Sequence, residues 1–125
     1  MKSKVLLVFL LCLIFVSCDL FNTKKLGNVI MIEGPLMEDA GDGFSFSGRV
    51  QNIGAGKAKN VGVYIFVFDS GGNQLASGYA AVDKIDLAPG ELSTWEVTIS
   101  DPDNSVRDQM DAGRTTHELS WDDEE

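Results

Sequence analysis

A strict two-residue alternation governs the centre of this chain. Phe44, Phe46, Gly48 and Val50 alternate with Ser45, Ser47, Arg49 and Gln51. Successive side chains leave a strand on opposite sides, so the pattern predicts a strand with one buried and one wet face. Residues 61–68 (VGVYIFVF) are apolar on both parities, with Val61, Val63, Ile65 and Val67 pointing one way and Tyr64, Phe66 and Phe68 the other. Two-sided apolarity predicts a central strand covered on both faces, or one whose second face meets a neighbour. The β-branched and aromatic content argues against a helix there. Residues 92–100 alternate again, Trp95, Val97 and Ile99 inward and Thr94, Glu96 and Thr98 outward. No segment offers a clean helical period over ten residues. The connections are too short for the crossover helices of a parallel sheet. The expectation is therefore all-β: an antiparallel sandwich, or a small barrel, of about seven short strands.

Turn chemistry divides the strands. Residues 29–32 form a first strand, which Gly34-Pro35 is expected to stop because proline gives the ladder no donor. Residues 38–43 (EDAGDG) and 52–60 (NIGAGKAKN) read as a polar loop and a glycine-rich turn. Residues 69–73 (DSGGN) connect a hairpin whose second strand is 74–82. Asp69 is placed to accept backbone N–H groups across that turn. In residues 86–91, Pro89 presets the first central position of a turn and Gly90 supplies the positive φ of the second. Residues 101–104 (DPDN) break the pattern, and 106–110 read as an irregular crossover or one helical turn. Residues 115–121 alternate once more, with His117, Leu119 and Trp121 on one parity, and the acidic end 122–125 is expected to fray.

The N-terminus has a different composition. Lys2 and Lys4 precede an apolar run over residues 5–16, then Ser17. A charged start, an apolar middle and a small residue mark a secretory signal peptide. Twelve residues reach roughly 18 Å as a helix, short of the ~30 Å hydrocarbon core, so a permanent transmembrane anchor fits poorly. An ordinary cleaved signal is the other alternative. Phe15-Val16-Ser17-Cys18 resembles a bacterial lipobox, with Phe15 where leucine is usual. That resemblance implies cleavage before Cys18 and a diacylglyceryl group on its thiol. The organisation expected is a signal peptide over 1–17, a lipidated cysteine and tether over 18–28, a sandwich domain over 29–121 and an acidic tail over 122–125. The protein would then be extracytoplasmic and held to a membrane by lipid, for which about two chains suffice. The tether, residues 19–28, reaches at most about 33–36 Å. Cys12 would leave with the signal, and thioether linkage would account for the single remaining cysteine. Asp19 resembles the inner-membrane retention signal of some enteric bacteria.

Charge narrows the partners. The chain has ten basic and nineteen acidic residues, a formal net charge of −9. Loss of Lys2 and Lys4 with the signal leaves eight against nineteen, or −11. Such a surface repels nucleic acid, whose affinity rests on basic contacts to phosphate, and keeps an exported protein soluble.

A second resemblance covers residues 48–99. Gly48-Arg49-Val50-Gln51-Asn52 is similar to a G-x-V-x-N strand end, Asn60-Val61 to the approach to the next strand, and Leu87-Ala88-Pro89-Gly90-Glu91 to an L-x-P-G-E turn before an aromatic strand, here Trp95. Between them Ile65, Val67, Phe68 and Asp69 stand at the positions of the F-x-L-Y-D motif, Asp69 identical and the others conservative replacements. The chain resembles the FxLYD domain of bacterial and archaeal envelope proteins. The resemblance implies an immunoglobulin-like β-sandwich and brings no catalytic residue and no cofactor. Phe68 and Trp95 are large enough to fill the space between two sheets.

Chemistry-bearing residues are sparse. His117 is the one histidine, and its parity with Leu119 and Trp121 reads as an edge or partly buried strand position. No G-x-S-x-G elbow or other catalytic signature accompanies it, so an enzyme is not expected. Asp39 and Asp42, Asp69 with Asn73, and Asp101, Asp103 and Asn104 all fall in expected loops. Calcium takes six to eight oxygens from such loops, which makes Asp101 and Asp103 weak metal candidates, but no stretch has EF-hand spacing. Partner binding is the stronger class, with Tyr64, Tyr79 and Trp121 as aromatic residues available to a surface. The expected function is a non-enzymatic envelope lipoprotein with a protein partner. The alternative is an envelope protein that takes calcium or a small solute on its acidic loops.

Overall fold

The structure, a computed structural model, describes residues 25–124. The expected signal peptide, Cys18 and the first part of the tether lie outside the described residues. Six strands form two three-stranded antiparallel sheets packed face to face. One has the order β1-β2-β5, from β1 (Val29–Asp39), β2 (Gly43–Asn52) and β5 (Leu92–Ser100). The other has the order β4-β3-β6, from β3 (Ala58–Phe68), β4 (Gln74–Ala81) and β6 (Thr116–Asp123). A five-residue helix, α1 (Ser105–Gln109), and a 3₁₀ turn (Ala112–Arg114) carry the chain from β5 to β6. The sandwich is all-β, with six strands among the described residues where the sequence led us to expect about seven.

The core follows the alternation. Phe44, Phe46 and Val50 of β2, Trp95, Val97 and Ile99 of β5, and Val61, Val63, Ile65 and Val67 of β3 are all buried between the sheets. Strand β3 is central in its sheet, yet only one of its faces is covered. Tyr64 is 40% exposed, and Phe66 and Phe68 are half-buried. Phe68 therefore does not fill the space between the sheets as expected. With Val67 directed inward, a period of two sends Phe68 outward. Trp95 does take the inner position.

Two boundaries differ from the sequence reading. Strand β1 continues past Gly34-Pro35 to Asp39. It is an edge strand, where a proline can turn its donorless nitrogen to solvent. Gly34, at φ +86°, absorbs the irregularity, and the register with β2 shifts on both sides of Glu33. The bulge brings the Glu33 carbonyl against Gly48, where a Cβ would collide with it. At the other end, β6 includes Asp122 and Asp123 of the expected frayed tail. The Asp123 carboxylate accepts the Gly27 N–H at 2.7 Å, and that of Asp122 accepts the Asn60 amide at 3.0 Å. Those donors hold the strand end in register beside Ala58 and Lys59. The same contacts dock residues 25–28 on the domain: Gly27 is buried, and Leu26 accepts from the Gly56 N–H at 3.0 Å.

The two sequence-predicted turns form as expected. Gly90 has φ +87°, and the Glu91 N–H donates to the Ala88 carbonyl at 3.0 Å, so Pro89 and Gly90 are the central pair. The Glu91 side chain accepts the Ala88 N–H at 2.7 Å and pairs with Lys84. In the β3–β4 turn, Asp69 Oδ1 accepts the N–H groups of Gly71 and Asn73, each at 2.9 Å. The Asn73 backbone N–H foremost, then its side-chain amide, holds the Asp69 carboxyl below its ordinary value of 3.8. A carboxyl depressed in the folded state stabilises above its unfolded pKa and loses that contribution as the pH falls through the folded value. Hydrogen exchange at Gly71 and Asn73 is therefore expected to lose protection as the pH drops below 3.8. Asp69→Ala should show the unprotected rates already at pH 6. Protection unaffected by either change would remove Asp69 from its role in the turn.

Candidate functional site

The acidic loop residues are already engaged by the protein's own donors. Asp101 is 2% exposed. Its Oδ1 accepts the Val106 N–H at 3.1 Å and its Oδ2 the Arg107 N–H at 2.9 Å, so it satisfies the free first-turn donors of α1. Asp103 accepts the Ser105 N–H at 3.1 Å, and that bond, with one from the Ser105 hydroxyl, lowers its carboxyl below the ordinary range. Asp39 pairs with Arg107, which also donates to the Gly43 carbonyl at 2.8 Å and lies over the Phe44 ring. Asp42 contributes its backbone carbonyl to the Asp101 N–H at 2.7 Å. The carboxylates of Asp39 and Asp101 pin α1 to the end of the sandwich. Among the described residues, no three His, Cys, Asp or Glu side chains converge on a point where a metal ion could sit. His117 is exposed on the edge strand β6, opposite Ile65 in register. A depression beside β5, lined by Arg49, Asp83, Lys84, Leu92, Ser93 and Thr94, opens broadly to solvent. It contains neither a cysteine nor a histidine, and its Lys84 is paired with Glu91.

The surface that gathers unusual side chains is the outer face of the β4-β3-β6 sheet. Tyr79 of β4, Tyr64 of β3 and Glu118 of β6 stand in one cross-strand row. Directly opposed residues have Cβ atoms about 4.5–5.5 Å apart, so the three side chains share one patch. The Tyr64 and Tyr79 ring centroids are 4.6 Å apart, with the planes tilted by 47°. The Tyr64 and Phe66 rings lie nearly parallel, 8° apart in plane with centroids at 6.3 Å. Tyr79 is 49% exposed. Its ring lies over Gly62, where any Cβ would meet the tyrosine hydroxyl and ring. A glycine inside a strand thus leaves the space that lays Tyr79 flat. Trp121, the third aromatic candidate, faces the other way and packs against the core with Leu119.

Sequence reasoning named Tyr64 and Tyr79 and noted Glu118 only as an acid near His117; it did not connect Glu118 or Gly62 with the tyrosines, because that relation depends on register between strands. It placed Asn52 at the G-x-V-x-N strand end but not the four hydrogen bonds of its buried side chain. The signal was present in its position at the end of an alternating strand, on the buried parity of Val50.

No family model, no curated protein and no solved structure matches this chain.

Proposed function

We propose that this protein is an envelope lipoprotein, anchored through lipid on Cys18, whose β-sandwich is a non-enzymatic interaction or structural module. The observation that carries the proposal is the sequence of residues 1–18: two lysines, an apolar run and the lipobox-like Phe15-Val16-Ser17-Cys18. The domain is compatible with that placement. Residues 25–28 meet it directly, so six residues, 19–24, separate Cys18 from the body. Six extended residues reach about 20–22 Å, which keeps the domain close to the bilayer.

The strand order supports an immunoglobulin-like reading. Sheets β1-β2-β5 and β4-β3-β6 have the neighbour relations of strands A-B-E and C′-C-F in such sandwiches. The FxLYD resemblance is consistent with this arrangement: Ile65 and Val67 lie in the core, Asp69 closes the β3–β4 turn, and Pro89 and Gly90 make the turn before β5. The chemistry of the described residues favours binding over catalysis, since the exposed aromatic row suits a recognition surface and the carboxylates serve as helix and turn partners.

Intact mass spectrometry of the membrane-extracted protein tests the anchor. The expected species begins at Cys18 and carries the mass of a diacylglyceryl group. The Cys18→Ser variant should lack the acyl mass and leave the membrane fraction. A wild-type protein found uncut, or cut and unacylated, would end the lipoprotein reading.

A further inference from the structure

We propose that the outer face of the β4-β3-β6 sheet is a docking site for an arginine-bearing segment of a partner protein, with the guanidinium taken between Tyr64 and Glu118. The site deepens the interaction-module reading and rests on it, but it is built from different residues and fails separately. Three observations converge. First, Tyr64 and Tyr79 expose 40% and 49% of their surface, and with Phe66 they form an aromatic cluster on the outer face of the sheet that no other described element is seen to cover. An aromatic face attracts a cation through its quadrupole, and arginine adds planar stacking that lysine lacks. Second, Glu118 stands opposite Tyr64 in register, is exposed, and has no ion-pair or hydrogen-bond partner among the described residues. A carboxylate beside a ring completes a guanidinium site, since the fork can bond the one while stacking on the other. Third, the sheet is electrostatically complementary to a cationic partner. Strands β3, β4 and β6 carry one lysine, Lys59, and no arginine, against Glu118, Asp122 and Asp123. Lys59 pairs in register with Asp122, beyond the irregularity that separates it from Gly62 and Tyr64. The chain's net charge of −9 disfavours a second copy on the same face.

Gly62 acts as a positioning residue. It holds no partner contact of its own but keeps the Tyr79 ring lying along the sheet beside Tyr64.

The full-length protein in nonionic detergent is titrated with the peptide acetyl-Gly-Arg-Gly-Arg-Gly-amide and with the same peptide carrying citrulline for arginine. Calorimetry and the ring proton shifts of the tyrosines are followed. The arginine peptide is expected to shift Tyr64 and Tyr79, and the neutral citrulline peptide to bind at least about fivefold more weakly. Tyr64→Ala and Glu118→Gln should each weaken binding by about two- to fivefold, the range for an exposed cation–π contact. Gly62→Ala should weaken it by tilting Tyr79 away. Glu118→Gln is an exposed, near-isosteric change, so its result does not depend on Tyr64→Ala folding. Equal binding of both peptides, or affinity untouched by Tyr64→Ala and Glu118→Gln, would reduce the effect to diffuse attraction and overturn the proposal. So would cellohexaose shifting the same rings, which would make the face a sugar platform, or dimerisation abolished by Tyr64→Ala. Absence of any binding at millimolar peptide would also overturn it. Each of these outcomes is independent of the mass measured at Cys18.

Discussion

Replacing Trp95 by alanine is expected to destabilise the domain by about 3–5 kcal/mol, the range for truncating a fully buried large aromatic. Trp95 is 2% exposed and projects from β5 into the middle of the sandwich. It is paired in register with Gly48, and a Cβ on that glycine would lie 3.1 Å from the indole Cζ2. The ring therefore occupies the room that Gly48 leaves on the neighbouring strand. Its Nε1–H is directed at the Met31 sulfur, 3.2 Å away on β1, so one side chain ties all three strands of that sheet. Alanine would vacate this volume between two sheets held apart by Phe44, Val63 and Val97, and such rigid walls collapse poorly into a cavity. A domain of about 100 residues has only ~5–15 kcal/mol in hand. The melting temperature should fall by about 15–30 °C. Trp95→Phe keeps an aromatic body and should cost about half as much. Urea unfolding followed by circular dichroism measures both. A loss under about 1 kcal/mol for the alanine variant would show that the space refills and that Trp95 does not organise this core.

What the sequence disclosed depended on whether the signal was local. The inner faces of β2, β3 and β5 were legible because alternation is set by the strand itself, and Phe46, Val63 and Val97 are buried as their parity requires. The turns at Asp69 and at Pro89-Gly90 were legible because their residues carry the required backbone geometry. Strand β1 was misread at Gly34-Pro35, since a proline's effect depends on whether its strand lies at a sheet edge, which is not a local property. The acidic end was misread for a related reason. Asp122 and Asp123 look solvated in sequence, but their partners, Asn60 and Gly27, are 62 and 96 residues away. Half of the candidate surface was visible as Tyr64 and Tyr79. The other half, Glu118 and Gly62, became visible only with the β3–β4 and β3–β6 registers.

Asn52→Ala should rival the tryptophan change, with a cost of about 3–4 kcal/mol, although it removes only a small amide. The side chain is fully buried. Its Nδ2 donates to the carbonyls of Gly56 and Leu87, each at 2.8 Å, and its Oδ1 accepts the N–H groups of Asn28 at 3.0 Å and Gly54 at 2.9 Å. Its backbone also donates to Glu91 at 3.0 Å and accepts from Gly90 at 2.7 Å. One residue thus fastens the incoming segment 25–28, the β2–β3 loop and the turn before β5. Alanine would orphan the Gly56 carbonyl and the N–H groups of Asn28 and Gly54 at once, while the Leu87 carbonyl keeps the Ala58 N–H at 2.9 Å. Each costs about 1–3 kcal/mol when left unpaired in a dry site, and water admitted by the loosened loops offsets part of the sum. Asn52→Asp should be no better, because it keeps the acceptor and loses both donors while introducing a buried charge. The pattern of failure separates this residue from Trp95. Hydrogen exchange in Asn52→Ala should accelerate together at Asn28, Ile53, Gly54, Gly56 and Gly90, while the β3–β4 hairpin retains its protection until global unfolding. Exchange confined to the β2–β3 loop would mean that segment 25–28 is held by Asp123 alone. In the lipid-anchored reading this knot is also where the tether meets the body, so its release would lengthen the reach of the domain from the bilayer without touching the lipid.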